Sequence, residues 1–173
     1  MEQYKAIIEA MLFVSGTPVT IKKMKEVMED TGDQDIRSAV DELMRENGER
    51  KGGVRLVEVA GGFQFRTDET LAPWLKKFAG VKPATLSQAA METLAVVAYR
   101  QPIMKSEIDR IRGVDASTSL RSLLERNLIR IMGRKDVPGR PILYGTSRHF
   151  LEVFSLRDLT ELPTLEELKE LGE

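Results

Sequence analysis

Few residues of this chain have the means to do covalent or acid–base chemistry. Among 173 residues there is no cysteine and one histidine, His149. Disulfides, thiolate nucleophiles and thiolate metal sites are therefore excluded, and a zinc site would have to be built from carboxylates around one imidazole. Ser147 lies two positions before His149. A nucleophile elbow would need glycine where His149 stands, on a strand-to-helix turn of a parallel sheet, and the sequence predicts no such sheet. Ser147 reads instead as the N-cap of a last helix, Arg148 to Ser155, that packs Phe150, Leu151 and Phe154. Gly133 and Gly139 are followed by Arg140-Pro141, where a phosphate-binding loop needs Lys and then Ser or Thr. The pairs Gly52-Gly53 and Gly61-Gly62 bracket a hairpin, where positive φ is wanted, and form no dinucleotide fingerprint. No catalytic, cofactor-binding or metal-binding residue is expected. The chain does not read as an enzyme, and neither a cofactor nor a small-molecule substrate is implied.

What remains is surface chemistry. The formal net charge of −1 hides a polarised layout. Residues 1–80 carry 12 Lys/Arg against 14 Asp/Glu, residues 81–157 carry 13 against 7, and the last sixteen carry 1 against 6. The basic middle block holds Arg112, Arg121, Arg126, Arg130, Arg134, Lys135 and Arg140, three of them in the loop GRKDVPGRP. In the first block, Pro73-Trp74-Leu75-Lys76-Lys77-Phe78 reads as a short closing helix whose aromatics are either buried or an interface anchor.

The elements that position these residues come in two copies of one plan. Tyr4, Ile7, Ile8, Met11 and Leu12 form the stripe of a first helix. It breaks at Gly16-Thr17-Pro18, and Val19 is a short extended piece. Thr20 caps a second helix with Ile21, Met24, Val27 and Met28 on one face; Gly32 ends it. Asp33 caps a third, with Ile36, Val40, Leu43 and Met44 inward. Val54–Val59 and Phe63–Arg66 then read as a hairpin. In the second copy Ser87 caps a helix with Ala90, Met91, Leu94, Val97 and Ala98 inward. Gln101-Pro102 breaks it, and Ile103 is the extended piece. Ile108 and Ile111 mark a helix that stops at Gly113. Asp115 caps another, with Leu120, Leu123 and Leu124 inward. Leu128–Ile131 and Ile142–Tyr144 then flank the basic loop, with Pro138-Gly139 as turn residues and Pro141 at the strand entrance. Pro18 corresponds to Pro102, and Leu43 and Asn47 to Leu123 and Asn127.

Helix, short strand, helix, helix, hairpin, twice over, is a mainly α (α+β) chain of two tandem winged-helix domains, each of three helices plus a β-hairpin wing. The expected domains are 1–80 and 84–157, joined at Gly80-Val81-Lys82-Pro83, with an acidic tail at 158–173. Winged helices often read DNA with their third helix. In the first copy that helix carries Asp33, Asp35, Asp41, Glu42 and Glu46 and would repel phosphates. The second copy is friendlier, so a DNA-binding transcriptional regulator is the alternative reading. The N-terminus lacks the basic region of a signal peptide, and no apolar run spans a bilayer, which predicts a soluble, cytoplasmic protein. Leu162, Leu165, Leu168 and Leu171 allow an amphipathic helix or a frayed end in the tail.

Two stretches, LSQAAMETLAVVAYRQPIMKSEIDRIRGV and LLERNLIRIMGRKDVPGRPILYGTSRHFLEVFSLRDLTELP, closely resemble the segregation and condensation protein B family. The resemblance is specific over about residues 86–163 and generic over 1–80, where AMLFVSGTPV matches. It implies a non-enzymatic, nucleoid-associated subunit of the bacterial condensin-like SMC complex, acting in chromosome condensation and segregation before cell division. It also implies a homodimer, formed chiefly through the N-terminal domain, that binds the kleisin, segregation and condensation protein A. Contact with the SMC ATPase would run through the kleisin, and contact with DNA would be indirect or weak. On local motif density, Tyr99, Arg100, Gln101 and Pro102, with Arg134, Lys135, Arg140 and Tyr144 of the wing, are the expected kleisin-binding residues. Phe13, Trp74 and Phe78 are the expected dimer contacts.

Overall fold

The structure, a computed structural model, describes residues 2–80, 85–164 and 166–167. The described chain forms two compact units: the N-terminal half together with Ser155–Glu161, and the remainder. Both have the winged-helix plan.

In the first unit α1 (Glu2–Val14), α2 (Ile21–Val27) and α3 (Asp33–Glu49) precede β1 (Val54–Val59) and β2 (Gly62–Thr67), and α4 (Ala72–Ala79) closes it. Ile8, Leu12, Met24, Ile36, Val40 and Phe63 are almost completely buried and form the core. Val19 pairs with Phe63 through two 2.9 Å backbone hydrogen bonds, which ties the α1–α2 connection to the hairpin. Lys5 lies buried between α1 and α3, its Nζ 2.7 Å from Glu46, 2.9 Å from Glu2 and 3.5 Å from Glu42. The hydrogen bond to Glu46, followed by that to Glu2, raises its pKa above the ordinary lysine value. A buried charge is tolerated there because carboxylates surround it.

The second unit contains α5 (Gln88–Arg100), β3 (Ile103–Met104), α6 (Lys105–Arg112), α7 (Ser117–Glu125), β4 (Ile129–Arg134), β5 (Ile142–Thr146) and α8 (Arg148–Val153). The sheet order is β3-β5-β4, all antiparallel, with Ile103 opposite Tyr144 on one side and Ile131 opposite Tyr144 on the other. The short extended piece thus pairs with the second hairpin strand in both units. The basic loop is the wing: Val137–Arg140 makes a turn closed by Arg140 N–H to Val137 C=O at 2.9 Å, and Gly139 has φ of 84°. That positive φ is what a Pro-Gly turn requires.

Thr20, Ser87 and Ser147 cap α2, α5 and α8 as expected, each hydroxyl accepting a backbone N–H three residues on. Other local expectations shift. Gly32, not Asp33, stands before α3; Asp115 sits one position outside the cap of α7 and accepts the Ser117 N–H at 3.2 Å. α2 ends at Val27, well before Gly32. Met91, Ile111 and Val27, assigned inward by periodicity, are exposed. Of the four hairpin glycines only Gly61 has positive φ, paired with Ala60 in a two-residue turn. Gly62 is needed for another reason: a Cβ there would lie 2.9 Å from the backbone of Val19.

The chain after α8 returns to the first unit. Its Leu156 and Arg157 carbonyls accept the N–H groups of Ala60 and Gly61 at 2.8 and 2.9 Å, and Ser155 Oγ accepts from Arg66 at 2.9 Å. The contacts therefore change at Ser155 and again after Glu161, rather than at 157. Of the tail, Thr164 and Glu167 form a reciprocal capping pair, while Leu165, Leu168 and Leu171 lie outside the described residues.

Candidate functional site

Three kinds of surface stand out, and none has the geometry of a reaction centre. Ser147 Oγ is committed to the Phe150 N–H and the Asn127 carbonyl, and the exposed His149 has Nδ1 3.3 Å from Glu152. Among the described residues no group of three His, Asp or Glu converges as metal ligands would, and no helix is long and apolar enough to cross a membrane.

The first surface is apolar and belongs to the first unit. α4 has no buried residue. Pro73 lies in its first turn and Gly80, at φ 62°, ends it, so local signals mark both of its ends. Trp74 and Phe78 are one turn apart on one face and are 72% and 92% exposed. Phe13, at the end of α1, is 81% exposed and lines a groove of about 690 Å³ with Ala6, Ala10, Val54 and Phe65. All three residues expected at a dimer contact are thus exposed. Val14, also 81% exposed, was not anticipated. It stands seven residues after Ile7, at the edge of the α1 stripe, where the helical period alone does not decide between core and surface.

The second surface surrounds the α5–β3 junction. The four residues Tyr99–Pro102 do different things. Tyr99 is half-buried, and its hydroxyl donates to the Pro163 carbonyl at 2.7 Å. Gln101 is turned inward: its Oε1 accepts the Thr146 N–H at 2.8 Å, and its Nε2 reaches Ala98 C=O at 3.1 Å and Thr146 Oγ1 at 3.0 Å. That side chain clips the end of α5 to β5, and its amide has no capacity left for a partner. Arg100 and Pro102 are exposed, and they line a groove of about 310 Å³ together with Ile103, Glu107, Arg110 and Ile111. Arg110 and Ile111 were not anticipated as surface-docking residues, because the period of α6 suggested a buried Ile111.

The third surface is the wing. Arg134, Lys135 and Arg140 are exposed, with Arg134 donating to the Arg140 carbonyl at 3.0 Å and Lys135 N–H bonded to Pro141 C=O at 2.9 Å. Their guanidinium and ammonium groups shape and charge the loop. Tyr144 is half-buried in the middle strand beside Ile103, so it joins the α5–β3 junction and not the wing tip. The eight expected residues therefore divide: Arg100 and Pro102 share a groove, Gln101 is internal, and the wing cations lie on the hairpin loop beyond Tyr144.

Comparison with known proteins adds to this geometry. The family profile of "Segregation and condensation complex subunit ScpB" matches residues 6–165. Segregation and condensation protein B of Syntrophotalea carbinolica is 46% identical over 169 residues, covering 98% of this chain and 85% of that protein. The protein of the same name from Desulforamulus reducens is 42% identical over 175 residues, covering 99% and 94%. A solved dimer of an ScpB N-terminal domain complexed with ScpA peptide is 31% identical and covers 44% of this chain and 95% of that one, with a TM-score of 0.41. On the extent of the profile match and the identity to these relatives, the chain belongs to the ScpB family of segregation and condensation complex subunits.

Proposed function

We propose that this chain is a non-enzymatic subunit of a bacterial SMC–kleisin complex. It forms a homodimer through its first unit and binds the kleisin, segregation and condensation protein A, in support of chromosome condensation and segregation before division. ATP hydrolysis belongs to the SMC partner, and the chain works in the cytoplasm on the nucleoid. The observation that carries the dimer is α4, a helix with no buried residue that presents Trp74 and Phe78 side by side. Solvent contact of two large rings on one helical face is costly and is relieved when a second surface covers them. Phe13 and its groove extend the apolar area of the same unit. Kleisin docking is assigned to the second unit, at Arg100, Pro102 and Tyr144, with the wing cations Arg134, Lys135 and Arg140 nearby in the fold.

The regulator reading is less favoured. The third helix of the first unit is acidic, and α7 (STSLRSLLE) offers one cation, Arg121, to a phosphate backbone. Light-scattering mass decides between the two. A purified species at twice the 19.5 kDa monomer that gains mass with the kleisin's central segment at physiological salt supports the adaptor. A monomer that ignores the kleisin and binds a short duplex with steep salt dependence overturns it.

A further inference from the structure

Three arginines occupy the helix ends of the second unit that frame its small groove: Arg100 in the last turn of α5, and Arg110 and Arg112 in the last turn of α6. Each position suits the partial negative charge of a helix C-terminus. If that were their only task, the three would be interchangeable. They are not. Arg112 is almost buried and fully engaged, with Nη2 2.7 Å from Glu92, Nη1 2.8 Å from the Ala89 carbonyl and a further hydrogen bond to Thr93. Arg100 and Arg110 are exposed and make no hydrogen bond or ion pair among the described residues.

The groove these two free guanidinium groups line also holds an aliphatic strip of Pro102, Ile103 and Ile111. Ile103 is buried, and Ile111 is 51% exposed although the other exposed residues of α6 are polar. The one acidic lining residue is Glu107. Its carboxylate already accepts the Met104 N–H at 3.0 Å, which holds the start of α6 in place. At about 310 Å³ the groove is at the lower limit of ligand pockets, with room for one or two aliphatic side chains.

We propose that this groove takes an acidic peptide segment: an aliphatic side chain seats against Pro102 and Ile111, and flanking carboxylates pair with Arg100 and Arg110. The reading deepens the assignment of kleisin docking to the second unit and rests on it. It replaces Gln101 with Arg110 and Ile111 as recognition residues. A guanidinium recognises carboxylate and phosphate alike through its planar fork. The aliphatic strip in the same groove favours a peptide, which brings an apolar side chain to seat there, over a phosphate backbone, which brings none.

The test uses the full chain and fluorescence anisotropy. The probe is a fluorescein-labelled synthetic decapeptide of leucine and glutamate, and the control is the same peptide with glutamine for glutamate. The acidic probe should bind saturably and its affinity should weaken with salt, while the glutamine control binds at least about tenfold more weakly. Arg100→Glu with Arg110→Glu should lose about tenfold or more for the acidic probe. Ile111→Ser should lose affinity for both peptides. All three side chains are exposed, so unchanged circular dichroism and melting are expected and confirm that the variants fold. Equal binding of the two peptides, or an unchanged affinity in the charge-reversed variant, overturns the groove.

A parallel titration with the kleisin's central segment separates the two claims. Kleisin binding that is indifferent to both variants leaves the docking assignment standing and removes the groove. Arginine-dependent capture of the acidic probe without any kleisin binding does the reverse. Capture of a short duplex with the loss confined to the same two arginines identifies the groove as a phosphate site and overturns the peptide.

Discussion

Replacing Trp74 by Ser is the most informative single perturbation, because assembly and folding respond to it in opposite ways. The Trp74 side chain is 72% exposed on a helix with no buried residue, so its removal deprives the core of nothing. Unfolding free energy of the isolated chain should change by no more than about 0.5 kcal/mol, as for other surface positions. In a symmetric dimer the same change strikes both copies of an isologous contact. Trp and Phe each bring on the order of 150–250 Å² into an interface. At the exposures found here Trp74 and Phe78 together offer roughly 350 Å² per protomer, an upper limit of about 9 kcal/mol at 25 cal/mol per Å². Association entropy and imperfect pairing absorb most of that. A hot-spot loss of about 2 kcal/mol per copy gives about 4 kcal/mol for the dimer, or roughly a thousandfold in its dissociation constant. Sedimentation equilibrium across a concentration series reads that shift, and denaturant unfolding of the monomeric fraction reads the stability. Phe78→Ser should behave alike. A dimer whose dissociation constant moves less than about threefold, or a monomer destabilised by more than about 2 kcal/mol, would refute the reasoning. The first result places the contact elsewhere, and the second makes α4 part of the core.

Three further outcomes follow from the geometry. Gln101→Ala should leave the buried Thr146 N–H and hydroxyl unsatisfied, costing about 2–3 kcal/mol and lowering the melting temperature by at least about 4 °C; a change below about 2 °C would show that the clip is not structural. Gly62→Ala should push a Cβ against the Val19 backbone, which cannot rotate away, at a cost of about 1–3 kcal/mol, and faster hydrogen exchange at Val19 and Phe63 would report it. Asp68 is held at about 2 by the Thr70 hydroxyl first and the Arg55 guanidinium second. A depressed carboxylate contributes stability above its ordinary value near 3.8 and loses it as pH falls toward 2. Asp68→Asn should therefore flatten the acid limb of a stability–pH profile between about pH 4 and pH 2, and parallel limbs in the two proteins would contradict this.

How much of the molecule the sequence discloses depends on the range of the interaction concerned. Thr20, Ser87 and Ser147 are legible because a capping hydroxyl acts three residues away. The duplicated plan is legible because helical and strand periods survive in each copy. Gln101 misleads for the opposite reason: beside Pro102 and Arg100 it resembles a surface motif, yet its partner Thr146 is 45 residues on. Gly62 looks like a turn glycine, whereas Val19 explains it. Ile111 fits the apolar period of α6 but stays at the surface, because an eight-residue helix needs only Ile108 to anchor it. The return of Ser155–Glu161 to the first unit is nearly silent, since its ties to Ala60 and Gly61 are backbone carbonyls that any residue supplies.

That return also sets a timetable during synthesis. Ala60 and Gly61 leave the ribosome early, but the carbonyls that satisfy their N–H groups belong to Leu156 and Arg157, almost a hundred residues later. At roughly 5–20 residues per second, the hairpin tip of the first unit waits on the order of 5–20 s, hydrogen-bonded to water, while α5 through α8 of the second unit are translated. The hairpin turn of the first unit is thus sealed only after α5 through α8 have emerged and had time to fold.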